Sequence, residues 1–294
     1  MACYRKQLKY AETGIFDTFI DMTYVITMEN AVERQKKAIA QLNKYKLSSN
    51  VTIMYNKGYK NCQKTFCKDE VCDRVDTSYT DLFHALRNVF NDAMENGYET
   101  ILVLEDDFII SDAILEPDVV PSLYGLIQDY RDKSLFLRLG TLPILSYGYS
   151  KNFKKLLSGV GMHAVIYNKK GIVDMNKNTN YSRITDIDLR SNLVFLNRQL
   201  MYREPLINQI FGKTENNKQW GGDLGAVGYF WASIVKKYLL LTGLDTSVEP
   251  GTTFNYKYHN YITLSLLAIF IYVSVFVVRF ILSQLKTNTF KKKK

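Results

Sequence analysis

Apolar and polar positions along this chain follow two rhythms. From Leu82 to Met94 the residues Leu82, Phe83, Leu86, Val89, Phe90, Ala93 and Met94 recur at three- and four-residue steps, and Gly97 stands where such a helix would end. Ile101-Leu102-Val103-Leu104 is a continuous apolar run, closed by Glu105-Asp106-Asp107-Phe108, and reads as a buried strand with acids at its carboxyl end. Helix, tight turn and apolar strand make half of a βαβ crossover, which requires a sheet covered on both faces. Phe19 to Met28 reads as a first strand, Ala31 to Tyr45 as a helix and Val51 to Tyr55 as a second strand. Asn56 to Thr77 is a polar excursion, Leu135–Leu139 and Met162–Tyr167 are further strands, and Lys169 to Met175 starts a short helix. The expected class is α/β, with one Rossmann-like domain over residues 19–250 after a leader of residues 1–18.

The end of the chain has a different character. Ile262 to Leu282 is apolar apart from Arg279, and ~21 residues at ~1.5 Å each cross the ~30 Å hydrocarbon core. The pattern predicts a linker over 251–260, a transmembrane helix over 261–285 and a basic tail over 286–294. This relocates the charge. The formal net charge is +9, but Arg279, Lys286 and Lys291 to Lys294 supply six of the positive charges with no acid after Tyr261. The remainder is nearly balanced, which points to a membrane partner and away from nucleic acid.

The first twenty residues lack the apolar core of a secretory signal, whereas the lysine-rich tail favours a cytosolic C-terminus, so the side on which the domain sits stays open. Cys3, Cys62, Cys67 and Cys72 are too few for a disulfide scaffold and lack zinc-type spacing, leaving free thiols or one disulfide. Asn50-Val51-Thr52 and Asn180-Tyr181-Ser182 are glycan acceptors only for a luminal domain.

Ligands bind beyond the carboxyl ends of the strands in such sheets. Adjacent carboxylates repel unless a cation lies between them, so Glu105, Asp106 and Asp107 point to a hard divalent metal, Mg²⁺ or Mn²⁺, that would also bind phosphate oxygens.

From about Tyr24 to Asn217 the landmarks resemble glycosyltransferase family 25, the lipopolysaccharide and procollagen galactosyltransferases. Tyr24-Val25-Ile26-Thr27-Met28-Glu29 followed by Arg34 is similar to that family's first-strand motif, and Leu104-Glu105-Asp106-Asp107 to its metal-binding acids. The helix with His84, the strand Gly161-Met162-His163-Ala164-Val165-Ile166 followed by Lys170-Gly171, and Pro205-Leu206-Ile207-Asn208-Gln209 follow in the family's order. Tyr79-Thr80-Asp81-Leu82-Phe83-His84 departs from it, lacking the family's Gly, Cys and Ser. The resemblance implies a GT-A architecture and a UDP-sugar donor with Mn²⁺ or Mg²⁺. Glu105 and Asp107 would hold the metal, and Thr27, Glu29, Arg34, His84, Glu105 and Asp106 would bind the donor. Asp186 or Asp188 would be the base that activates a glycan, lipid-linked or protein hydroxyl, with galactose or glucose moved under inversion.

Two other classes compete. One is a catalytically inactive membrane-bound scaffold that keeps this fold. The other is a different metal-dependent phosphate enzyme, which would be expected to carry a Walker-type loop or a histidine-rich cluster, and the sequence has neither.

Overall fold

Ile101, Leu102, Val103 and Leu104 are at most 3% exposed and lie in the interior of a nine-stranded mixed sheet. The computed structural model describes residues 2–66, 74–177, 186–211 and 225–291. In chain order the elements are β1 (Tyr4–Tyr10), β2 (Met22–Met28), α1 (Val32–Tyr45), β3 (Asn50–Asn56), α2 (Ser78–Glu95), β4 (Thr100–Glu105) and β5 (Phe108–Ile110). There follow α3 (Val119–Asp129), β6 (Phe136–Arg138), β7 (Leu142–Gly148), β8 (Phe153–Val160), β9 (Ala164–Asn168), α4 (Lys169–Lys177), α5 (Ile187–Val194), β10 (Gln199–Tyr202) and β11 (Ile207–Gln209). Two further helices, Gly225–Thr242 and Gly251–Lys291, complete the described chain.

The sheet order is β1-β3-β2-β4-β9-β6-β10-β8-β7, and β5 and β11 form a separate two-stranded ribbon. β2, β3 and β4 run parallel, while β9 runs antiparallel between β4 and β6. Alternation along β4 sends Leu102 and Leu104 to one face and Ile101 and Val103 to the other. The first face packs with Ala38 and Leu42 of α1 and Leu123 and Leu126 of α3. The second packs with Phe83, Val89 and Phe90 of α2, Ile172 of α4 and Val194 of α5. Burying one such Leu, Ile or Phe contributes about 1.5–3 kcal/mol, so a strand covered on both faces is a firm base for whatever its end carries. The fold is therefore mixed α/β around a large central sheet, with one long apolar C-terminal helix.

Helix α2 begins four residues before the apolar rhythm does, because Thr77 and Thr80 cap it reciprocally, each side chain accepting from the other's backbone N–H. Gly97, at φ 73°, lies just beyond its end.

Several boundaries differ from the sequence pattern. Residues 1–18 are not a separate leader. Tyr4 to Tyr10 pairs antiparallel with β3 at the sheet's edge and Phe16 is fully buried. Strand β4 stops at Glu105, because the chain turns at Asp106 and Asp107 before entering β5. The strand expected from Met162 begins at Ala164, since Gly161 sits at φ 92° and breaks the extension. Cys3 and Cys62 form a disulfide, which removes Cys62 as a zinc ligand, while Cys67 and Cys72 lie outside the described residues. The Asn50 acceptor lies in β3, where Val51 and Thr52 are buried, and Asn180 lies outside the described residues.

The 251–260 segment is helix rather than linker, continuous with the apolar part. Its polar side chains meet the outer edge of β7. Asn260 accepts from the Ser146 N–H at 2.9 Å and donates to the Ser146 carbonyl at 2.8 Å, and Thr263 donates to the Ile144 carbonyl at 2.6 Å. Tyr256 packs with Leu156 and Met201. Beyond Thr263 the helix is exposed and apolar, and it is long and apolar enough to cross a membrane. A chain ending at Glu249 should thus unfold at lower urea than one ending beyond Thr263, by about 3 kcal/mol or more from the lost aromatic packing alone. Equal unfolding midpoints would show that the docked turns contribute nothing.

Candidate active site

The parallel strands β2 and β4 end, and the antiparallel β9 begins, at one end of the sheet, away from its edge strands. Ile26 is in register with Glu105, and the Glu105 N–H donates to the His163 carbonyl at 3.0 Å. Thr27, Arg34, Glu105, Asp106 and Asp107 are brought together there.

Asp106 is 6% exposed. Thr27 donates its hydroxyl to one carboxylate oxygen at 2.6 Å, and the Arg34 guanidinium, in the first turn of α1, lies 3.2 Å from the other. Burial nevertheless outweighs these partners and pushes the Asp106 carboxyl up to about 6. Asp107 accepts from the Gln209 side-chain amide at 2.8 Å through Oδ2, whereas its Oδ1 is covered and has no partner. Burial raises its pKa as well. Glu105 is driven well above the usual carboxylate range by burial and then by the charges of Asp107, Asp188 and Asp106.

Asp188 reaches this group from α5. Its Oδ1 lies 3.3 Å from buried Arg138 and its Oδ2 accepts from the Gly161 N–H at 3.0 Å. Burial raises its pKa despite the arginine. Glu105, Asp186, Asp188, Gln209, Gly161, Phe211 and Tyr79 line one cleft, a small space of about 50 Å³. Asp186 also caps α5, accepting from the Leu189 N–H at 2.9 Å.

Two expected donor contacts lie elsewhere. Glu29 is exposed and faces Arg5 at 3.8 Å. His84 takes a hydrogen bond from the Tyr4 hydroxyl at 2.7 Å, meets the Thr65 carbonyl at 3.0 Å and packs between Tyr4 and Phe66. It is a packing histidine of α2 outside the cleft. His163 is buried, meets the Ile207 carbonyl at 3.0 Å and is held neutral, its pKa lowered by burial to about 4.

Arg138 carries no motif in the sequence, and Gln209 stands there only as the end of the Pro205–Gln209 segment, with no role of its own. Arg138 is fully buried and also donates to Ser191 and Gln199, each at 2.8 Å. A lone arginine inside the apolar run Leu135 to Leu139 was the available signal. Gln209 reaches Asp107 through the β5–β11 pairing, in which Gln209 opposes Phe108. That ribbon approaches so closely that a Cβ on Gly140 would lie 1.5 Å from the Ile207 carbonyl oxygen.

Among the described residues, no group of three or more His, Cys, Asp and Glu side chains is arranged to hold a metal unaided. No family model matches the chain, and no curated protein matches it either. Solved structures of similar shape include a protein of STIV (10% identity over 64% of this chain and 82% of that one, TM-score 0.38). A glycosyltransferase involved in the glycosylation of the major capsid of PBCV-1 matches at 8% identity over 61% of this chain and 80% of that one, TM-score 0.32. Apo-UDP-glucose pyrophosphorylase matches at 12% identity over 74% and 81%, TM-score 0.34. Likenesses this distant establish no family.

The acids generate a prediction with a definite sign. Asp106 binds its proton more tightly in the folded chain than in the unfolded one, where a carboxyl titrates near ~3.9. Its contribution to stability is therefore fully present below about pH 4 and lost as pH rises through about 6. Asp106→Asn should raise the melting temperature of the metal-free protein at pH 7, with the gain shrinking toward pH 4. A loss of stability at pH 7 would mean that the Arg34 and Thr27 contacts outweigh burial.

Proposed function

We propose that this chain is a membrane-anchored, metal-dependent glycosyltransferase of GT-A type, akin to glycosyltransferase family 25. It would move galactose or glucose from a UDP-sugar to a hydroxyl of a glycan, lipid-linked or protein acceptor, with inversion. The observation that carries this reading is the crowding of carboxylates at the end of β4, a local deficit of positive charge in which Asp107 Oδ1 has no hydrogen-bond partner and burial raises the pKa values of Glu105 and Asp107.

A hard divalent cation suits that deficit, and Glu105 and Asp107 are the residues that would hold Mn²⁺ or Mg²⁺. Acids of this kind suit these ions, which bind through one or two carboxylates plus phosphate oxygens. When bound, the ion neutralises charge on the departing diphosphate.

The remaining steps belong to side chains. Arg34 is 41% exposed and spends one edge of its guanidinium on Asp106, leaving donors for a diphosphate. Thr27 fixes Asp106, and Gln209 orients Asp107. Across the cleft Asp188 is the better base than Asp186. Arg138 and the Gly161 N–H fix its carboxylate, and its raised pKa suits it to take a proton from the attacking hydroxyl. Asp186 has the structural task of capping α5. The exposed apolar stretch of the C-terminal helix supplies the anchor.

Mn²⁺-dependent UDP-sugar hydrolysis by the detergent-solubilised full chain tests the reading. Asp107→Ala should abolish hydrolysis and metal-dependent UDP binding while the fold survives. No hydrolysis by the parent with either ion would leave the inactive scaffold as the better account. For the base, Asp188→Asn should lower transfer by about 10²–10⁴-fold and spare UDP binding. Asp186→Asn should behave nearly as the parent, since asparagine caps helices as well as aspartate does. The reverse ranking would exchange the two roles.

A further inference from the structure

The Gly225–Thr242 helix is apolar on two sides. Inward, Ala232 and Leu239 are buried, and Leu239 packs with Leu244 and Leu142 against Phe211, a wall of the acidic cleft. Outward, Tyr229, Phe230, Ile234, Leu240 and Leu241 are exposed, Leu241 by 87%. Phe230, Ile234, Lys237 and Leu241 follow one another at four-, three- and four-residue steps, with Tyr229 and Leu240 beside them, so they form a single stripe. A helix that is apolar all round belongs in a core or in lipid, and a contiguous exposed apolar patch marks a contact surface.

Two observations select lipid as the cover. The helix leads through a short turn into the C-terminal helix, which is exposed and apolar beyond Thr263 and long enough to cross a membrane, and the two are tied where Asn255 donates to the Tyr238 hydroxyl at 2.9 Å. Its outer stripe also mixes aromatic and leucine side chains with Lys237, the composition of helices that lie in the interface plane. Phe254, Tyr258 and Tyr261 continue the exposed aromatic character over the first turns of the C-terminal helix.

We propose that the outer face of the Gly225–Thr242 helix lies in the headgroup boundary of the membrane that the C-terminal helix enters. It forms a second, in-plane contact that holds the acidic cleft against the lipid surface. Only the thickness of one helix, about 10–12 Å, then separates lipid from the cleft wall. The proposal rests on the anchoring part of the reading above, and it is independent of the chemistry.

The test uses the full chain in phosphatidylcholine/phosphatidylglycerol vesicles whose acyl chains carry bromine near the headgroup or at the bilayer centre. Single tryptophan probes are placed in a Trp220→Phe, Trp231→Phe background. Leu241→Trp should be quenched by the shallow bromine and Phe270→Trp by the deep one. Tyr10→Trp, 74% exposed on β1 at the opposite edge of the sheet from β7, should be quenched by neither. Adding Phe230→Glu and Ile234→Glu should reduce the shallow quenching at 241 at least twofold and leave that at 270 unchanged. Quenching at 270 with none at 241 overturns the in-plane contact and keeps the anchor; no quenching at either overturns both. Shielding of 241 from aqueous iodide in a detergent-stable dimer would assign the stripe to a second copy, and the proposal would fall.

Discussion

Carboxylates crowded at the end of a strand that is buried on both faces are the constraint to which this molecule answers. Glu105, Asp106 and Asp107 cannot move away, because Ile101 to Leu104 lock β4 between β2 and β9. Each acid has acquired a different partial remedy. Asp106 has Arg34 and Thr27, Asp107 has Gln209 on one oxygen only, and Glu105, pressed by the like charges of its neighbours, has only the field of Arg34 against them. Buried like charges of this kind raise each other's proton affinity and destabilise the ion-free fold, a cost that active sites commonly carry.

Late parts of the chain complete what the early parts begin. β11, the Gly161 turn and the start of α5 bring Gln209 and Asp188 to the acids from far downstream of β4, 102 residues in the case of Gln209 and Asp107, and Arg138 holds Asp188 from beneath. Arg138 is a fully buried cation whose pairing with Asp188 is reinforced by Ser191, Gln199 and Thr141. Removing one member of such a network is costly, since it strands the others without solvent. The position of Asp188 is therefore coupled to the packing of β6 and β10 and not only to its own helix.

How much of this was readable from sequence depended on range. β2, α1, β3, α2 and β4 were legible because each carries its own local pattern of apolar residues, with Gly97 marking the end of α2. The β7–β8 hairpin was not, since Lys154 and Lys155 and the register shifts after Pro143 blur its alternation. At the site, the acids, Thr27 and Arg34 were legible because they sit beside recognisable strand ends. The surroundings of His84 were not legible, because helical spacing says which residues share a face but not what faces them, and there Tyr4 of an unforeseen strand fills that place. Gln209 depends on a pairing across about a hundred residues, for which local pattern has no signal. Asp186 and Asp188 were indistinguishable until the cap at Leu189 separated them.

The two edges of the sheet are guarded in different ways. β1 carries Arg5, Lys6 and Lys9, charges that discourage another strand from pairing with it. β7 lacks that protection, and its outward backbone groups are taken instead by Asn260 and Thr263 of the C-terminal helix. The helix that reads as an anchor is thus also a stopper on an open β-edge. Without it, copies of this domain would have a ready template for strand-to-strand polymerisation, and their insolubility would come from backbone pairing and not from affinity for lipid.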